Sequence, residues 1–387
     1  MDFEFTEEQK MMKKTVRDFL TKEIVPEVDE YDRKGPLSKE EATAFTKKLI
    51  PFGYVVGLVP EEYGGLGLDV VSYGLLLEEL AYAWAALSSL VHITATIPLS
   101  LVFRGSEELR KKYLEPSLSG EIIGCSAITE SNAGSDAPRS IETTAVLEGD
   151  EYVVNGTKTW ITNGPISDLV DLLCTTDKSK GLLGIISIIV DKERSPFTAR
   201  ELHKIGWRAC PLGELSFNDC RVPKENQLGL GAFGSQAIAG GFEFPRSILG
   251  IRSCGVAQAA LDASINYAQE RKQFGRQIGS FQIIQQMIVD MTMDVEAARF
   301  LALHALYLVG KGVPCAREAS MAKAFGCEMA VRVTSQAVQI HGAMGLSEDM
   351  PLERYFRDAR MFTIPDGTTE IQKLIVGREV LGIKAFR

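Results

Sequence analysis

The hydrophobic period changes twice along this chain of 387 residues, and the order of those changes limits the fold more than any single residue does. Up to about residue 120 the period is helical. Thr6 followed by Gln9 fits a capping box, after which Met12, Val16, Phe19 and Leu20 recur at helical spacing. "PEEYGGLGLD" (60–69) is a loop, because Gly64, Gly65 and Gly67 interrupt any helix; long helical patterns return from Val70 to Lys112. Near Glu121 the texture becomes short β-branched runs, "IIGCSAIT", "YVVN", "LVDLLCTT", "GIISIIV" and "LSFNDCRV", which predict antiparallel sheet. After about Gly231 helices resume. "SILGIRSCGVAQAALDASINYAQER" carries small and apolar residues on most faces and belongs deep in a bundle, and further segments follow over 280–312 and 315–340. Helices, then sheet, then helices means an α+β class with segregated layers, not alternating βαβ units. The expected domains are helical (1–120), antiparallel β (121–229) and helical (230–387), matching the roughly two or three domains expected at this length.

Composition removes several functions. A net charge of −9 and a pI near 5.2 argue against nucleic-acid binding. The acidic start "MDFEFTEEQK" lacks the apolar core of a signal peptide. Trp84 to Phe103 has no Lys, Arg, Asp or Glu, but its Ser, Thr, His and Pro residues favour a buried helix over a membrane span. Seven scattered cysteines and four scattered histidines show no metal-ligand spacing, so no metal is expected, and reduced thiols in the cytoplasm are. No G-x-G-x-x-G opens a helix after a strand, and no P-loop exists.

Three stretches remain as carriers of chemistry. "AITESNAGSD" (127–136) offers hydroxyls (Thr129, Ser131, Ser135) and backbone N–H groups around a turn through Gly134, suited to a polar heterocycle or a phosphate. "NGTKTWITNG" (155–164) sets Trp160 between Thr159 and Thr162 on a strand. Each is also compatible with ordinary strands joined by polar turns. In "IPDGTTEIQ" (364–372), Asp366 precedes a glycine and a helix-like run, so it is either the helix N-cap or a catalytic base.

Together these motifs resemble the acyl-CoA dehydrogenase family over essentially the full chain. "AITESNAGSD" and "KTWITNG" look like its two flavin-contacting segments. "ERKQFGRQIGSFQ" (270–282), "QIHGAMG" (339–345), "YFRDAR" (355–360) and "PDGTTEIQ" follow in the family's order. The resemblance implies a helical domain, a middle β-domain and a C-terminal four-helix bundle, with FAD between the last two, usually in a homotetramer. It implies that Ile128, Thr129, Trp160, Ile161 and Thr162 line the flavin ring. Arg271, Phe274, Gln282 and Gln339 would reach a neighbouring subunit's FAD, while Thr368 and Glu370 approach the cofactor from the base-bearing turn. Ser135, counted with both cofactor and substrate, would contact the CoA portion together with Arg246, and Gly367 would join the substrate contacts. Val91, Thr94 and Ala95 are expected in the wall of the acyl pocket.

The implied reaction is α,β-dehydrogenation of an acyl-CoA, with electrons passing to an electron-transfer flavoprotein. Asp366 stands where most members carry glutamate. The alternative base position of some members is Pro245 here, which cannot titrate. Two other positions depart from the pattern: Arg139, where a small residue is usual, and Ala343, where glycine is frequent. The base is shorter by one methylene, about 1.5 Å of reach, which points to a substrate with a bulky alpha carbon, branched or alicyclic, such as cyclohexane-1-carboxyl-CoA. Competing readings are a flavin oxidase of the nitroalkane oxidase kind, whose relatives also use aspartate, and a non-catalytic binder of CoA thioesters.

Overall fold

The structure is a computed structural model that describes residues 4–136, 140–229 and 242–385. The first helix, α1 (Glu7–Glu23), starts with the expected reciprocal capping box between Thr6 and Gln9. Helices α2 (Val28–Lys34) and α3 (Lys39–Leu49) follow. The long pattern after Val70 resolves into α4 (Val70–Thr94), α5 (Thr96–Arg104) and α6 (Glu107–Leu118). Within α4 the backbone leaves helical geometry at Trp84 (φ −160°, ψ 100°). The apolar stretch from Val70 to Arg104 is long enough to cross a membrane by composition, but most of it is buried inside the fold.

The middle of the chain forms a sheet of seven strands: β1 (Gly124–Ala127), β2 (Thr144–Glu148), β3 (Glu151–Thr162), β4 (Leu169–Thr175), β5 (Ile185–Asp191), β6 (Thr198–Glu201) and β7 (Leu212–Pro223). The expectation of an antiparallel sheet needs correction at β4, which pairs in parallel with β1 and, at Thr144 opposite Thr175, with β2. Strand β1 pairs in parallel with β4, Gly124 opposite Leu169, while β5 runs antiparallel along β4's other edge. The reason lies in connectivity: β2 and β3 intervene between β1 and β4, giving the chain a long crossover in place of a hairpin.

The last third holds α7 (Glu243–Glu270), a small hairpin of β8 (Lys272–Gln273) and β9 (Arg276–Gln277), then α8 (Gln282–Gly310), α9 (Ala316–His341), α10 (Leu352–Phe362) and α11 (Thr369–Leu381). One hydrophobic core joins helices from both ends of the chain, and a second fills the sheet. Helix α7 can cross α4 closely because of Gly255, where a Cβ would sit 2.2 Å from the Glu78 carbonyl. Buried Glu78 and Glu79 tie three helices together. Glu78 accepts from Arg299 (2.7 Å) and Lys13 (3.1 Å), and Glu79 accepts from Arg17. All seven cysteines are free and buried.

Candidate active site

The two motifs of the β-domain meet. Fully buried Lys158 on β3 donates from Nζ to the Ile128 carbonyl (2.9 Å) and to Glu130 (2.7 Å), and the Thr159 N–H donates to the Thr129 carbonyl (2.9 Å). Glu130 in turn accepts from the backbone N–H groups of Glu142 and Thr143. The loop from Ile128 is thereby pinned against the end of β3. There the strand's register slips between Lys158 and Ile161, and Trp160 takes a left-handed backbone (φ 60°). A bulge of this kind redirects a side chain out of the sheet's alternation. Trp160 is 58% exposed for that reason, an uncovered ring beside half-buried Ile128, Thr129 and Thr162. Ile161 points the other way, into the sheet core. Ser135 lies exposed at the far end of the loop; Arg139 falls outside the described residues.

Asp366 is not the helix cap. The N-cap of α11 is Thr368, whose hydroxyl accepts from the Ile371 N–H, and Glu370 lies exposed in the first turn. Asp366 and Gly367 form a left-handed pair (φ 55° and 89°) before that cap. Gly367 is required there, since a Cβ would meet Gln372 Nε2 at 2.8 Å. The same Gln372 amide clamps the turn, donating to the carbonyls of Asp366 (3.0 Å) and Gly367 (2.8 Å). The Arg246 Nε also faces the Asp366 carbonyl, at 3.5 Å. The backbone of Asp366 is therefore held from two sides, while its carboxylate makes no hydrogen bond among the described residues.

Three cations surround that carboxylate. Burial lifts the Asp366 carboxyl above the usual carboxylate range, and the charges of Lys323, Arg246 and Arg252 restrain the rise. Lys323, on α9, is fully buried and donates to the Thr363 carbonyl at 3.3 Å. Arg252, on α7, is 3% exposed and lies beside the rings of Trp207 and Phe362 (5.5 and 5.3 Å), which themselves pack edge to face. It donates to Ser88 Oγ (2.7 Å) and to Ser89 Oγ. His92 stands one turn beyond Ser88 on α4, and burial together with the charge of Arg252 lowers its imidazole to about 3, so it is neutral.

Val91 and Ala95 continue the stripe of Ser88 and His92 along α4 and are buried. Thr94 turns toward the sheet, where its hydroxyl accepts from Asn163 Nδ2 (3.2 Å). Sequence reasoning missed Arg252, Lys323, Ser88, Ser89 and His92. A signal for the first two was present: each is a lone charge inside an otherwise apolar helical run.

A second group of expected residues stays apart from this pocket. Arg271, Phe274 and Gln282 are exposed on and beside the β8–β9 hairpin, with Phe274 at 93% exposure and left-handed (φ 49°). Gln339 is exposed near the end of α9, followed by exposed Ala343 in a short 3₁₀ turn. None of the four approaches Trp160 or Asp366 by any contact among the described residues.

Comparisons with known proteins agree along the whole chain. Residues 6–121, 125–220 and 233–381 match the acyl-CoA dehydrogenase N-terminal, middle and C-terminal domain families. An acyl-CoA dehydrogenase of Bacillus subtilis is 38% identical over 379 residues, covering 97% of this chain and 99% of that protein. Butyryl-CoA dehydrogenase from Megasphaera elsdenii superposes with a TM-score of 0.92 at 35% identity, covering 98% of this chain and 100% of that one. A glutaryl-coenzyme A dehydrogenase in complex with glutaryl-CoA superposes with a TM-score of 0.93 at 36% identity, covering 100% and 98%. With three domain families matched in order and relatives of this identity aligned end to end, the chain belongs to the acyl-CoA dehydrogenase family of FAD-dependent oxidoreductases.

Proposed function

We propose that this enzyme introduces an α,β double bond into an acyl-CoA thioester, with Asp366 as the base. The observation that carries the proposal is the Asp366 turn. It holds a partly buried carboxylate by its backbone, leaves the oxygens without a hydrogen bond among the described residues, and keeps them within the influence of the Lys323, Arg246 and Arg252 charges. A free carboxylate with a raised pKa suits proton abstraction near neutral pH. The flanking cations and the turn's backbone N–H groups favour the negative charge that develops on the thioester oxygen.

The residues present fit FAD. Trp160 offers an uncovered ring, with Ile128, Thr129 and Thr162 beside it, and the exposed Ser135 loop carries polar groups; Ile161, also expected at the flavin, faces the sheet core instead. Bound FAD would supply the acceptor for the β-carbon hydride, so that one proton goes to Asp366 and one hydride to the cofactor. Thr368 and Glu370 would flank the cofactor from the base turn, and Arg246, with Ser135 and Gly367, would hold the thioester and its CoA portion.

The exposed Arg271, Phe274, Gln282 and Gln339 support a homotetramer in which each chain completes a neighbour's cofactor site. Exposed apolar residues along α8, Ile283, Val289, Met293 and Phe300, support burial of that face as well. Electrons would leave to an electron-transfer flavoprotein, and seven unpaired cysteines support a cytoplasmic setting. The short base, preceded by Pro365, supports a ring or branch at the alpha carbon.

Anaerobic mixing of purified protein with straight, branched and cyclic acyl-CoAs tests the reading through loss of flavin absorbance. Bleaching by at least one class is expected; a yellow protein that no thioester bleaches would remove the assignment. Arg271→Ala is expected to release FAD and dissociate the tetramer together, which sedimentation and flavin content will show. A flavin-loaded monomer contradicts the shared site.

A further inference from the structure

One charged side chain beside the base has no counter-charge of its own. Arg252 is 97% buried by its 3% exposure, yet no carboxylate lies within ion-pair distance of it among the described residues. Its Nε and Nη2 donate to the neutral hydroxyls of Ser88 and Ser89, and its Nη1 donates to nothing among the described residues. Asp366 acts on it only through space and is shared with Arg246 and Lys323, each of which also feels a second carboxylate, Glu243 and Glu328 respectively, whereas Asp366 is the one carboxylate that acts on Arg252 among the described residues. A buried guanidinium left in this condition is strongly unfavourable unless something charged completes it.

The surroundings have the same character. The α4 side of Arg252 presents Ser88, Ser89 and His92, whose buried Nδ1 has no hydrogen-bond partner among the described residues. A pocket for a plain hydrocarbon tail would be lined by apolar side chains, because each polar atom left bare costs desolvation. Polar groups and an unneutralised guanidinium instead suit a planar, negatively charged oxygen pair, which arginine recognises through its fork of donors.

We propose that Arg252 receives a carboxylate carried on the acyl portion of the substrate, with Ser88, Ser89 and His92 beside it, so that the thioester oxidised at Asp366 is the CoA ester of a dicarboxylic acid. The proposal rests on the dehydrogenase reading above and adds the chemical class of the acyl group. A ring or branch at the alpha carbon remains compatible with it, since the second acid lies farther along the chain.

The test uses the flavin-loaded enzyme and two pairs of probes matched in carbon number: glutaryl-CoA against pentanoyl-CoA, and adipyl-CoA against hexanoyl-CoA. Wild-type kcat/KM is expected to favour at least one dicarboxylic member by on the order of a hundredfold, as for a buried charge pair. Arg252→Gln is expected to bring that ratio close to one, because the dicarboxylic rate falls much further than the monocarboxylic rate. Equal or better turnover of the monocarboxylic members by wild type overturns the proposal without any variant. An Arg252→Gln enzyme that loses both activities equally also overturns it, making Arg252 a structural contact of the Trp207–Phe362 ring pair. Dehydrogenation of monocarboxylic thioesters alone would leave the function standing while this inference fails. A flavin bleached by no thioester removes both.

Discussion

Trp160 and Asp366 are two non-glycine residues held in left-handed backbone, at φ 60° and 55°, and they sit in opposite surroundings. Such conformations cost roughly 1–3 kcal/mol and persist where the surrounding structure imposes them. Trp160 is imposed by a strand bulge and a neighbouring loop, the two only some thirty residues apart, as the Lys158–Ile128 contact records. Its ring ends in the open. Asp366 is imposed by one side-chain amide, Gln372, and by Arg246 from a helix 120 positions away in sequence. Its carboxylate ends among cations from α7 and α9. The first place can be assembled by local pairing, whereas the second exists only after the C-terminal helices have packed.

The contrast predicts separable failures. The largest effect belongs to Asp366→Asn, which keeps the shape and removes the proposed proton acceptor. Turnover should fall roughly 10²–10⁴-fold, with flavin content and melting temperature close to wild type. Retention of about a tenth of the activity would place the base elsewhere and make the Asp366 turn a structural feature only.

A smaller but more selective change is expected from Asp366→Glu. One extra methylene crowds a ring or branch at the alpha carbon, and overpacking costs about 1–3 kcal/mol, or roughly ten- to two-hundredfold in kcat/KM. The quantity to measure is the ratio between an alicyclic and a straight-chain thioester. If that ratio does not move, the shorter base is offset by the path of the turn after Pro365, and the bulky alpha carbon loses its support.

Trp160→Gly probes the open side. Glycine takes the left-handed conformation without strain, so the change removes the ring and relieves the backbone at once. Loss of a ring-stacking contact worth about 0.5–1.5 kcal/mol should weaken FAD binding several-fold, measured by flavin release on dilution, while the pH dependence of the remaining activity stays put. Unaltered retention would take the ring out of the cofactor site.

The mildest effect is a shift in the pH profile from Lys323→Met. Burial raises the Asp366 pKa, and Lys323 is the first of the cations that hold it down. Removing that charge lets the pKa rise further. The base is active when deprotonated, so activity is lost on acidification through its pKa, and the acidic limb of kcat/KM should move to higher pH. A limb that stays in place or moves down would show that Lys323 serves the Thr363 carbonyl alone.

Much of the architecture was legible because period and capping are local. The Thr6–Gln9 box, the apolar runs that became α8 and α9, and the three-part order depend on neighbours within a turn or a strand pair. The parallel pairing of β1 with β4 was not legible, since strand direction depends on where the intervening hairpin is stored. In the candidate site the motif at Trp160 and the isolated acid at Asp366 could be read from spacing and turn chemistry. Whether Asp366 was a cap could not, because Thr368 two residues later offers a competing hydroxyl and only the backbone path chooses between them.

The sequence by itself determined the layers, their order and the identity of a carboxylate poised before a glycine, because periodicity, capping and turn preference are written in neighbouring residues. Tertiary structure alone decided the electrostatics of that carboxylate. Arg252 and Lys323 look like stray charges in apolar helices until α7, α9 and the Asp366 turn converge, and Ser88 and His92 look like polar interruptions until α4 crosses α7 over Gly255. Coulombic interaction depends on distance through the fold and on the water that packing excludes, and neither is encoded in separation along the chain.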